Sequence, residues 1–463
     1  MTPRTPPSRT ARIGTRAVTA AALLGALAVM RWLRESGGVS DVAGVVISPG
    51  SAMAAGFLFL FAFLLGGIAK ELGLPRITGY LLGGMLVGPE VLGTLSHDNI
   101  RDLSIVNGFA IGIIAFVAGA ELRPQLLRER GGEIVRILVA EIGVVFVLLT
   151  GVALLLRAWV PFLAGLPFPA ALALAFVFAS IAAVHSPAVT IALLDEQKAT
   201  GPVTSTTLGV VVVADIIVVL LATLSIAGAR TVFAPAEGFD VRALATIGWE
   251  LVGALLAGAL LGGMIDLYLR LVGKRLIVFV VFVVFLGYEL ASVLHVEFML
   301  FMLATGFFVE NVSPVDGEPL IRAIHAVSVP AYVLFFSVAG GSIHLHELLT
   351  LWPVALGAVA VRAAGLYYGT RLGARWAGSE ESVRRYTWMG LVSQAGVALG
   401  LATVAGRALG EHGAQIQTMF LAMIAIHEII GPILFRTALV RAGEIPTLSR
   451  TAPVPPAPAP ARG

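Results

Sequence analysis

Residues 209–224 read GVVVVADIIVVLLATL, a stretch in which Asp215 is the one charged residue. An apolar run of this length is typical of a helix that crosses a bilayer, whose hydrocarbon core takes about 20 apolar residues. A carboxylate at the centre of such a helix costs about 2.5–3.5 kcal/mol on insertion scales. A residue of that cost normally faces a cavity or a partner, so Asp215 is the first candidate functional residue. The alternative is a carboxyl group held by hydrogen bonds between helices.

The composition of the whole chain predicts an all-α polytopic membrane protein. Of 463 residues, 58% are hydrophobic and 13% are charged, whereas a soluble domain carries about 25% charged residues. The chain has no cysteine, which excludes disulfides and thiolate metal sites. Its Arg and Lys residues are expected to report membrane topology, so the expected surroundings are a lipid bilayer and no nucleic-acid partner is expected.

Fourteen apolar segments are candidate transmembrane helices. They are residues 17–34, 51–69, 77–95, 104–121, 134–156, 168–194, 205–226, 244–268, 276–294, 297–310, 323–341, 350–370, 387–406 and 415–435. The first segment follows an Arg-rich stretch and also suits a cleaved signal peptide, so 13 or 14 helices are expected. Residues 1–16 and the Pro-rich tail, 441–463, are expected to be disordered and cytoplasmic. Residues 51–440 are then the transmembrane domain.

The basic residues predict the orientation of the chain. With the N-terminus in the cytoplasm, alternating segments place 23 Arg and Lys residues inside and 7 outside, and Arg362 within a span completes the total of 31. This bias follows the positive-inside rule. We therefore expect a multi-pass protein of the inner (cytoplasmic) membrane with both termini in the cytoplasm.

Two blocks of five segments, 77–226 and 297–435, have similar lengths and enter the membrane from opposite sides. This pattern is typical of inverted-topology repeats, in which the binding site lies near the midplane where broken helices meet. The fourth segment of each block contains residues that can interrupt a helix: His185, Ser186 and Pro187 in the first, and Ser393, Gln394, Gly396 and Gly400 in the second. We interpret both segments as broken crossing helices, since irregular backbone at membrane depth is tolerated where it lines a cavity. A simple kink is the alternative.

Polar side chains near the first break are candidate ligands for an ion. Ser186 and Thr190 could offer hydroxyl oxygens beside the carboxylate of Asp215, and hard cations prefer oxygen ligands. His185 is a candidate proton relay, because imidazole titrates near neutral pH. A hydrogen-bonded packing role is the alternative for His185.

Arg362 is the one basic residue well inside a predicted span. A buried guanidinium needs a counter-charge or helix carbonyls at the crossing, and Glu141 is one candidate partner in a structural ion pair. Weaker candidates are expected near the ends of their spans, where they could snorkel toward water: Glu250, Asp266, Glu289, His427 and Glu428.

The segment GYLLGGMLVGPEVLG at 79–93 carries glycines at four-residue spacing, at Gly79, Gly83, Gly84 and Gly88. Small residues at this spacing let helices pack closely, so these glycines are interpreted as structural. The chain contains no HExxH pattern, and we find no phosphate-binding Gly loop followed by Lys and Ser or Thr, and no GxSxG on a predicted strand. An enzymatic role, a cofactor and a resident metal are therefore not expected.

Several stretches together resemble the monovalent cation:proton antiporter superfamily, and in particular the Kef-related branch of the sodium/hydrogen exchanger family. They are LGLPRITGYLLGGMLVGPEVLG (72–93), GIIAFVAGAEL (112–122), ASIAAVHSPAVTIALLDE (179–196), VVVADIIVVLL (211–221) and AYVLFFSVAGGSI (331–343). The third is similar to the family's broken crossing helix and the fourth to its ion-binding helix. Arg362 falls where the family carries a membrane-embedded Lys or Arg.

The resemblance implies exchange of protons for Na⁺ or K⁺ by alternating access. It also implies a core built from the broken helices, including Pro187, Gln394 and Gly396, with Asp215 and Arg362, and a homodimer formed through a scaffold that includes 51–95 and 244–310. The family usually has Asn, Asp or Gln before the ion-binding Asp, whereas this chain has Ala214. One carboxylate predicts electroneutral exchange. The alternatives are a Kef-like potassium efflux channel without obligatory proton coupling, and a membrane scaffold or sensor that transports nothing.

Overall fold

A computed structural model describes residues 51–103, 105–122, 124–233, 241–272, 275–313 and 318–446. The predicted segments 1–16 and 17–34, and the part of the tail after residue 446, lie outside the described residues. Across the described ranges the regular secondary structure is α-helical, without strands, as the composition predicts.

Sixteen helices are described. They are α1 (Ser51–Glu71), α2 (Arg76–Val87), α3 (His97–Leu103), α4 (Ile105–Glu121), α5 (Pro124–Leu155), α6 (Phe168–Ala182), α7 (Pro187–Gln197), α8 (Pro202–Phe233), α9 (Val241–Leu271), α10 (Leu276–Leu294), α11 (Phe298–Asn311), α12 (Glu318–Gly341), α13 (Leu345–Ala377), α14 (Glu381–Gly390), α15 (Gly396–Ala408) and α16 (Gly410–Ala442).

Within the described ranges, eight helical stretches are long and apolar enough to cross a membrane, or nine if α3 and α4, which are bent by 42° relative to each other, form one span. One of the eight, 168–197, consists of α6 and α7 together. The other predicted spans correspond to shorter helices, among them α2, α11 and α15. The helical, multi-span architecture is therefore confirmed, whereas the count of 13 or 14 spans stays a prediction.

Some predicted boundaries differ from the observed ones. The segment predicted at 77–95 is helical only to Val87, because Gly88 ends α2 in an extended conformation and Pro89 follows. At the other end of the chain, α16 continues to Ala442, and the buried carboxylate of Glu444 accepts hydrogen bonds from Val203 N at 2.6 Å and Thr204 N at 2.7 Å. Residues 441–446 therefore form an ordered clamp on the N-terminus of α8, whereas the sequence predicted a disordered tail from residue 441.

Close helix crossings depend on glycine at the contact points. A Cβ added at Gly84 of α2 would lie 1.8 Å from Ser337 O of α12, and one at Gly340 would lie 2.0 Å from Leu81 O. The α4–α11 crossing is built in the same way, with Gly119 against Leu303 O at 1.9 Å. A real Cβ atom could not lie so close to these carbonyl oxygens. The helices can therefore make backbone contact only because glycine has no side chain, as the small-residue spacing predicts.

The same glycine-rich segment also packs on α1. A Cβ at Gly79 would lie 2.5 Å from Leu65 O, and one at Gly83 would lie 3.1 Å from the Cα of Ala62. Elsewhere in the fold, α13 lies along α5, and a Cβ at Gly369 would lie 2.7 Å from the Cα of Glu141. These crossings place the middle of α5 and α13 directly beside the two helix breaks.

Candidate functional site

The first predicted break lies between α6 and α7. Helix α6 ends at Ala182, and α7 begins at Pro187, which has no backbone N–H to donate and disfavours helical geometry in the residue before it. Ser186 is the N-cap of α7, and its hydroxyl oxygen accepts a hydrogen bond from Val189 N at 3.3 Å. The segment is therefore broken and not merely kinked.

The second break lies between α14, which ends at Gly390, and α15, which begins at Gly396. The residues between the two helices are buried. Unlike the first break, this one contains no proline. The N-cap residue, Ala395, has φ −153° and ψ −134° and has no side-chain oxygen that could accept a hydrogen bond from the first turn of α15. Gln394 therefore lies within the break, as predicted, and Gly396 at its edge, whereas Gly400 is inside the regular helix α15.

Arg362 of α13 joins the two breaks. Its guanidinium is fully buried and donates to Ala182 O at 2.6 Å and Val184 O at 2.8 Å, at the end of α6. It also donates to Val392 O at 2.7 Å and Leu391 O at 3.2 Å, at the end of α14. Carbonyls at helix C-termini carry partial negative charge and lack partners within their own helix, so one cation stabilises two helix ends.

Gln394 reinforces the same junction from within the second break. Its Nε2 donates to Ala182 O at 3.0 Å and to Val184 O at 3.1 Å, across to the first break. His427 of α16 is buried beside them, with its Nε2 3.5 Å from Nη1 of Arg362. The two breaks therefore lie next to each other and are joined by hydrogen bonds from the side chains of Arg362 and Gln394.

Glu141 is not the ion-pair partner of Arg362 that the sequence had offered as a candidate. Its Oε1 lies 3.2 Å from Nε2 of His185, and both side chains are fully buried. The imidazole of His185 thus bridges α5 to the first break, which is the hydrogen-bonded packing alternative. Among the described residues, Oε2 of Glu141 and Nδ1 of His185 have no hydrogen-bond partner, so each side chain has one further polar atom available for a hydrogen bond.

Asp215 of α8 faces a cavity of about 250 Å³. The cavity is mainly apolar, and its lining includes Pro187 from the first break and Gly400 from α15. In the described part of the chain, the buried Oδ1 of Asp215 has no hydrogen-bond partner. The alternative of a carboxyl group held by hydrogen bonds between helices therefore does not apply to Oδ1.

A second cavity of about 480 Å³ adjoins the first. The two share Pro187, Glu297, Met299 and Val397 in their linings. The remaining polar residues of the second lining are His185, Ser186, Ser342, His344 and Glu428. The larger cavity, which the first helix break lines, and the smaller cavity, which Asp215 lines, are therefore direct neighbours.

The three predicted ion ligands occupy different surroundings. Asp215 lines the smaller cavity and Ser186 lines the larger one, with its hydroxyl committed to capping α7. Thr190 is buried and lines neither cavity; its hydroxyl lies 3.5 Å from Gly390 O at the end of α14. The structure brings Pro187, Gln394, Gly396 and Arg362 together at the junction, and does not gather the three oxygen ligands around one point.

The weaker candidates separate into buried and surface groups. His427 and Glu428 are buried in the middle of α16 and do not snorkel, because α16 extends well beyond the predicted span at both ends. Glu289 is exposed on α10, and Asp266 of α9 forms an ion pair with Arg270 at 2.7 Å. No group of three His, Asp or Glu residues suited to a metal ion occurs in the described ranges.

Sequence reasoning missed Glu297, which lines both cavities. It is the N-cap of α11, and its carboxylate accepts hydrogen bonds from Met299 N at 2.9 Å and from Leu300 N. The signal that could have found it is an acidic residue directly before a short apolar run, which is a capping pattern. The apolar run at 297–310 predicts a span, and its pattern does not indicate a separate role for the first residue.

Comparison with known proteins identifies the family. Residues 58–441 match the family described as "Sodium/hydrogen exchanger, transmembrane". The chain belongs to the sodium/hydrogen exchanger family. Members of this family are transporters and not enzymes, and the chain is a multi-pass membrane protein. The Kef-related branch suggested by the sequence is not tested by this match.

Relatives of this sodium/hydrogen exchanger include proteins of Methanocaldococcus jannaschii. One, "Probable Na(+)/H(+) antiporter 3", is 24% identical over 389 residues, which is 82% of this chain and 94% of that protein. Two structures of the sodium proton antiporter MjNhaP1 show the same fold with a TM-score of 0.58. One, determined at pH 8, is 18% identical and covers 85% of this chain and 95% of its own; the other, from an electron-microscopy map, is 19% identical and covers 85% and 96%.

Proposed function

We propose that this protein exchanges protons for a monovalent cation, Na⁺ or K⁺, across the membrane. The observation that carries the proposal is Asp215, whose buried Oδ1 has no partner within the described residues and whose side chain faces a cavity beside the helix breaks. A carboxylate that faces a cavity at membrane depth can bind a proton or a cation in turn. The names of the M. jannaschii relatives, which are sodium/proton antiporters, support the same function.

Coupling follows from competition for one carboxylate. If a proton and a cation cannot occupy Asp215 together, each inward movement of one is linked to an outward movement of the other. We propose that motion of a core against a scaffold exposes Asp215 to each side alternately. The position before it is Ala214, so a single titratable group on α8 exchanges one proton for one cation and moves no net charge.

The helix packing supports two structural repeats. Helix α2 packs on α12, α11 packs on α4, and α5 packs on α13, which is the pattern expected if 77–226 and 297–435 are related by a pseudo-two-fold axis. In this proposal the breaks at Pro187 and Gln394 are equivalent, and Arg362 holds both. The inverted orientation in the membrane is part of the proposal.

We further propose that the protein is a homodimer of the inner membrane, with both termini in the cytoplasm. The orientation rests on the distribution of Arg and Lys, and the dimer rests on the family resemblance, with 51–95 and 244–310 as the scaffold. The outward faces of α9 and α10 carry exposed apolar side chains such as Leu260, Val278 and Phe282, which suit lipid or a second subunit.

A flux assay in proteoliposomes tests the function. Purified protein is reconstituted with a pH-sensitive dye inside, an outward proton gradient is imposed, and NaCl, KCl, LiCl or choline chloride is added outside. We expect proton efflux with at least one alkali cation and none with choline. Cation movement without proton movement would support the channel alternative, and movement of neither would support a scaffold or sensor.

A further inference from the structure

We propose that Glu297 is a second carboxylate of the cation site, supplied by the N-terminus of α11. This inference rests on the proposed function and deepens it by naming a further residue that binds the transported cation. Its basis is geometric. Asp215 and Glu297 line the same cavity of about 250 Å³, and the remaining side chains of that lining are apolar.

The two carboxylates interact across this cavity. Asp215 and Glu297 line one mainly apolar cavity, where like charges repel more strongly than in water. Oδ1 of Asp215 has no hydrogen-bond donor within the described residues, and the lining adds no basic side chain. Two negative groups without a counter-charge in one cavity are stabilised by a bound monovalent cation, which is the ligand that the proposal assigns.

Glu297 is held in a fixed position by its place in the fold. Its oxygens accept hydrogen bonds from Met299 N and Leu300 N at the start of α11, and donors at a helix N-terminus favour the anionic form. Its backbone N donates to Glu250 O of α9 at 3.1 Å. Glu297 is thus joined to α9 through its backbone and to α11 through its carboxylate, within the proposed scaffold, whereas Asp215 belongs to the proposed core.

This division gives the two carboxylates different roles. Glu297 attracts a cation into the cavity and stays with the scaffold, while Asp215 carries the cation or the proton as the core moves. Since Glu297 remains charged in this scheme, the proton count per cycle is still set by Asp215. Loss of the charge at Glu297 should therefore weaken cation binding more than it slows the transport step.

The test compares Glu297→Gln with Glu289→Gln in proteoliposomes. Gln is isosteric, and its amide oxygen can still accept one of the two backbone hydrogen bonds that cap α11, so the substitution removes the charge and keeps part of the cap. We expect the apparent KM for Na⁺, or for whichever alkali cation the wild type exchanges, to rise about tenfold in Glu297→Gln, equivalent to about 1.4 kcal/mol, with the maximal rate changed less than about twofold. Glu289→Gln, a carboxylate exposed on α10, should leave both values unchanged, and Glu297→Asp should restore part of the affinity.

An equilibrium measurement gives a second readout. The same cation at 100 mM should raise the melting temperature of the wild type and of Glu289→Gln, relative to choline at the same concentration. It should raise the melting temperature of Glu297→Gln much less, and likewise that of Glu297→Ser, a second neutral variant that can cap α11. If Glu297→Gln does not fold, Glu297→Ser and Glu297→Asp are compared in its place.

A wild-type KM and a wild-type cation-induced shift in a folded neutral variant would overturn the role of Glu297 and leave the exchange function intact. A wild type without alkali-dependent proton flux would overturn the exchange function itself.

Discussion

At the scale of single residues, Asp215 and Arg362 have opposite roles although both are ionisable groups within the membrane. Asp215 has a buried oxygen without a partner in the described ranges and faces a cavity. Arg362 has four carbonyl partners from two helices and lines neither of the two cavities. A charge that is fully satisfied stabilises structure, whereas one that is left open is available to a ligand.

We predict that Asp215→Asn abolishes exchange and leaves the folded yield unchanged. The amide has the same shape as the carboxylate but cannot take up and release a proton near neutral pH. Alkali-dependent proton flux and size-exclusion yield are measured together, with Glu289→Gln, at an exposed carboxylate on α10, as the control. Wild-type flux in folded Asp215→Asn protein would contradict the mechanism.

We predict a graded effect at Arg362. Lys retains the charge but not the planar fork, so Arg362→Lys should keep part of the exchange activity. Arg362→Ala leaves buried carbonyls unsatisfied, each at a cost of about 1–3 kcal/mol, and should lose most of the folded yield.

The control for this series is Arg375→Ala, an exposed position on the same helix. Folded yield after membrane extraction and exchange rate per folded protein are measured for all three variants. An Arg362→Ala variant as stable and as active as Arg375→Ala would show that the junction between the breaks needs no cation.

At the scale of helices, close approach and not side-chain volume sets the packing. The α2–α12 and α4–α11 crossings bring backbone atoms into contact at glycine, and the α5–α13 crossing does so along its length. Dispersion and the fit of surfaces drive helix association in lipid, since apolar burial alone gains little there. Rigid crossings of this kind allow groups of helices to move as units.

We predict that Gly84→Ala destabilises the protein. The new Cβ would lie 1.8 Å from Ser337 O, so α2 and α12 must separate, at a cost of about 1–3 kcal/mol for an overpacked contact. Thermal unfolding in detergent measures the effect as a lower melting temperature.

The matched control is Gly357→Ala on α13, where an added Cβ meets no atom within 4 Å. Alanine favours helix over glycine by about 1 kcal/mol, so this variant should melt at the same or a slightly higher temperature. Equal melting temperatures for the two variants would show that the α2–α12 contact is not tight in solution.

At the scale of the whole molecule, the cavities lie between two groups of helices. The larger and the smaller cavity share walls from α7, α11 and α15, so a relative movement of these helices changes access to Asp215. The exchange stoichiometry then depends on how many groups in the cavities titrate during the cycle.

We predict that the exchange rate does not respond to membrane potential. One proton exchanged for one monovalent cation moves no net charge, whereas each elementary charge moved would contribute about 2.3 kcal/mol per 100 mV. The potential is set with valinomycin and potassium gradients at a fixed pH gradient, with Na⁺ as the substrate. A rate that follows the potential would mean that a second carboxylate titrates, and Glu297 and Glu428 are then the residues to substitute.

The sequence by itself determined the features that depend on neighbouring residues. Apolar runs predicted the helices, Pro187 predicted the first break, and the four-residue glycine spacing predicted the close contacts of α2. Asp215 stood out because a charge in an apolar run is costly wherever the helix packs. Each of these effects acts within a few residues along the chain, so a local pattern contains the necessary information.

Only the tertiary structure decided which polar groups meet. Arg362 binds carbonyls 180 and 30 positions away, Glu141 pairs with His185 instead, and Glu297 shares a cavity with Asp215. Such pairings depend on the rotation of each helix about its axis and on where helices cross. Hydropathy in a nearly uniform apolar sequence scarcely distinguishes one face from another, so the partner of each buried polar side chain could not be read from the chain alone.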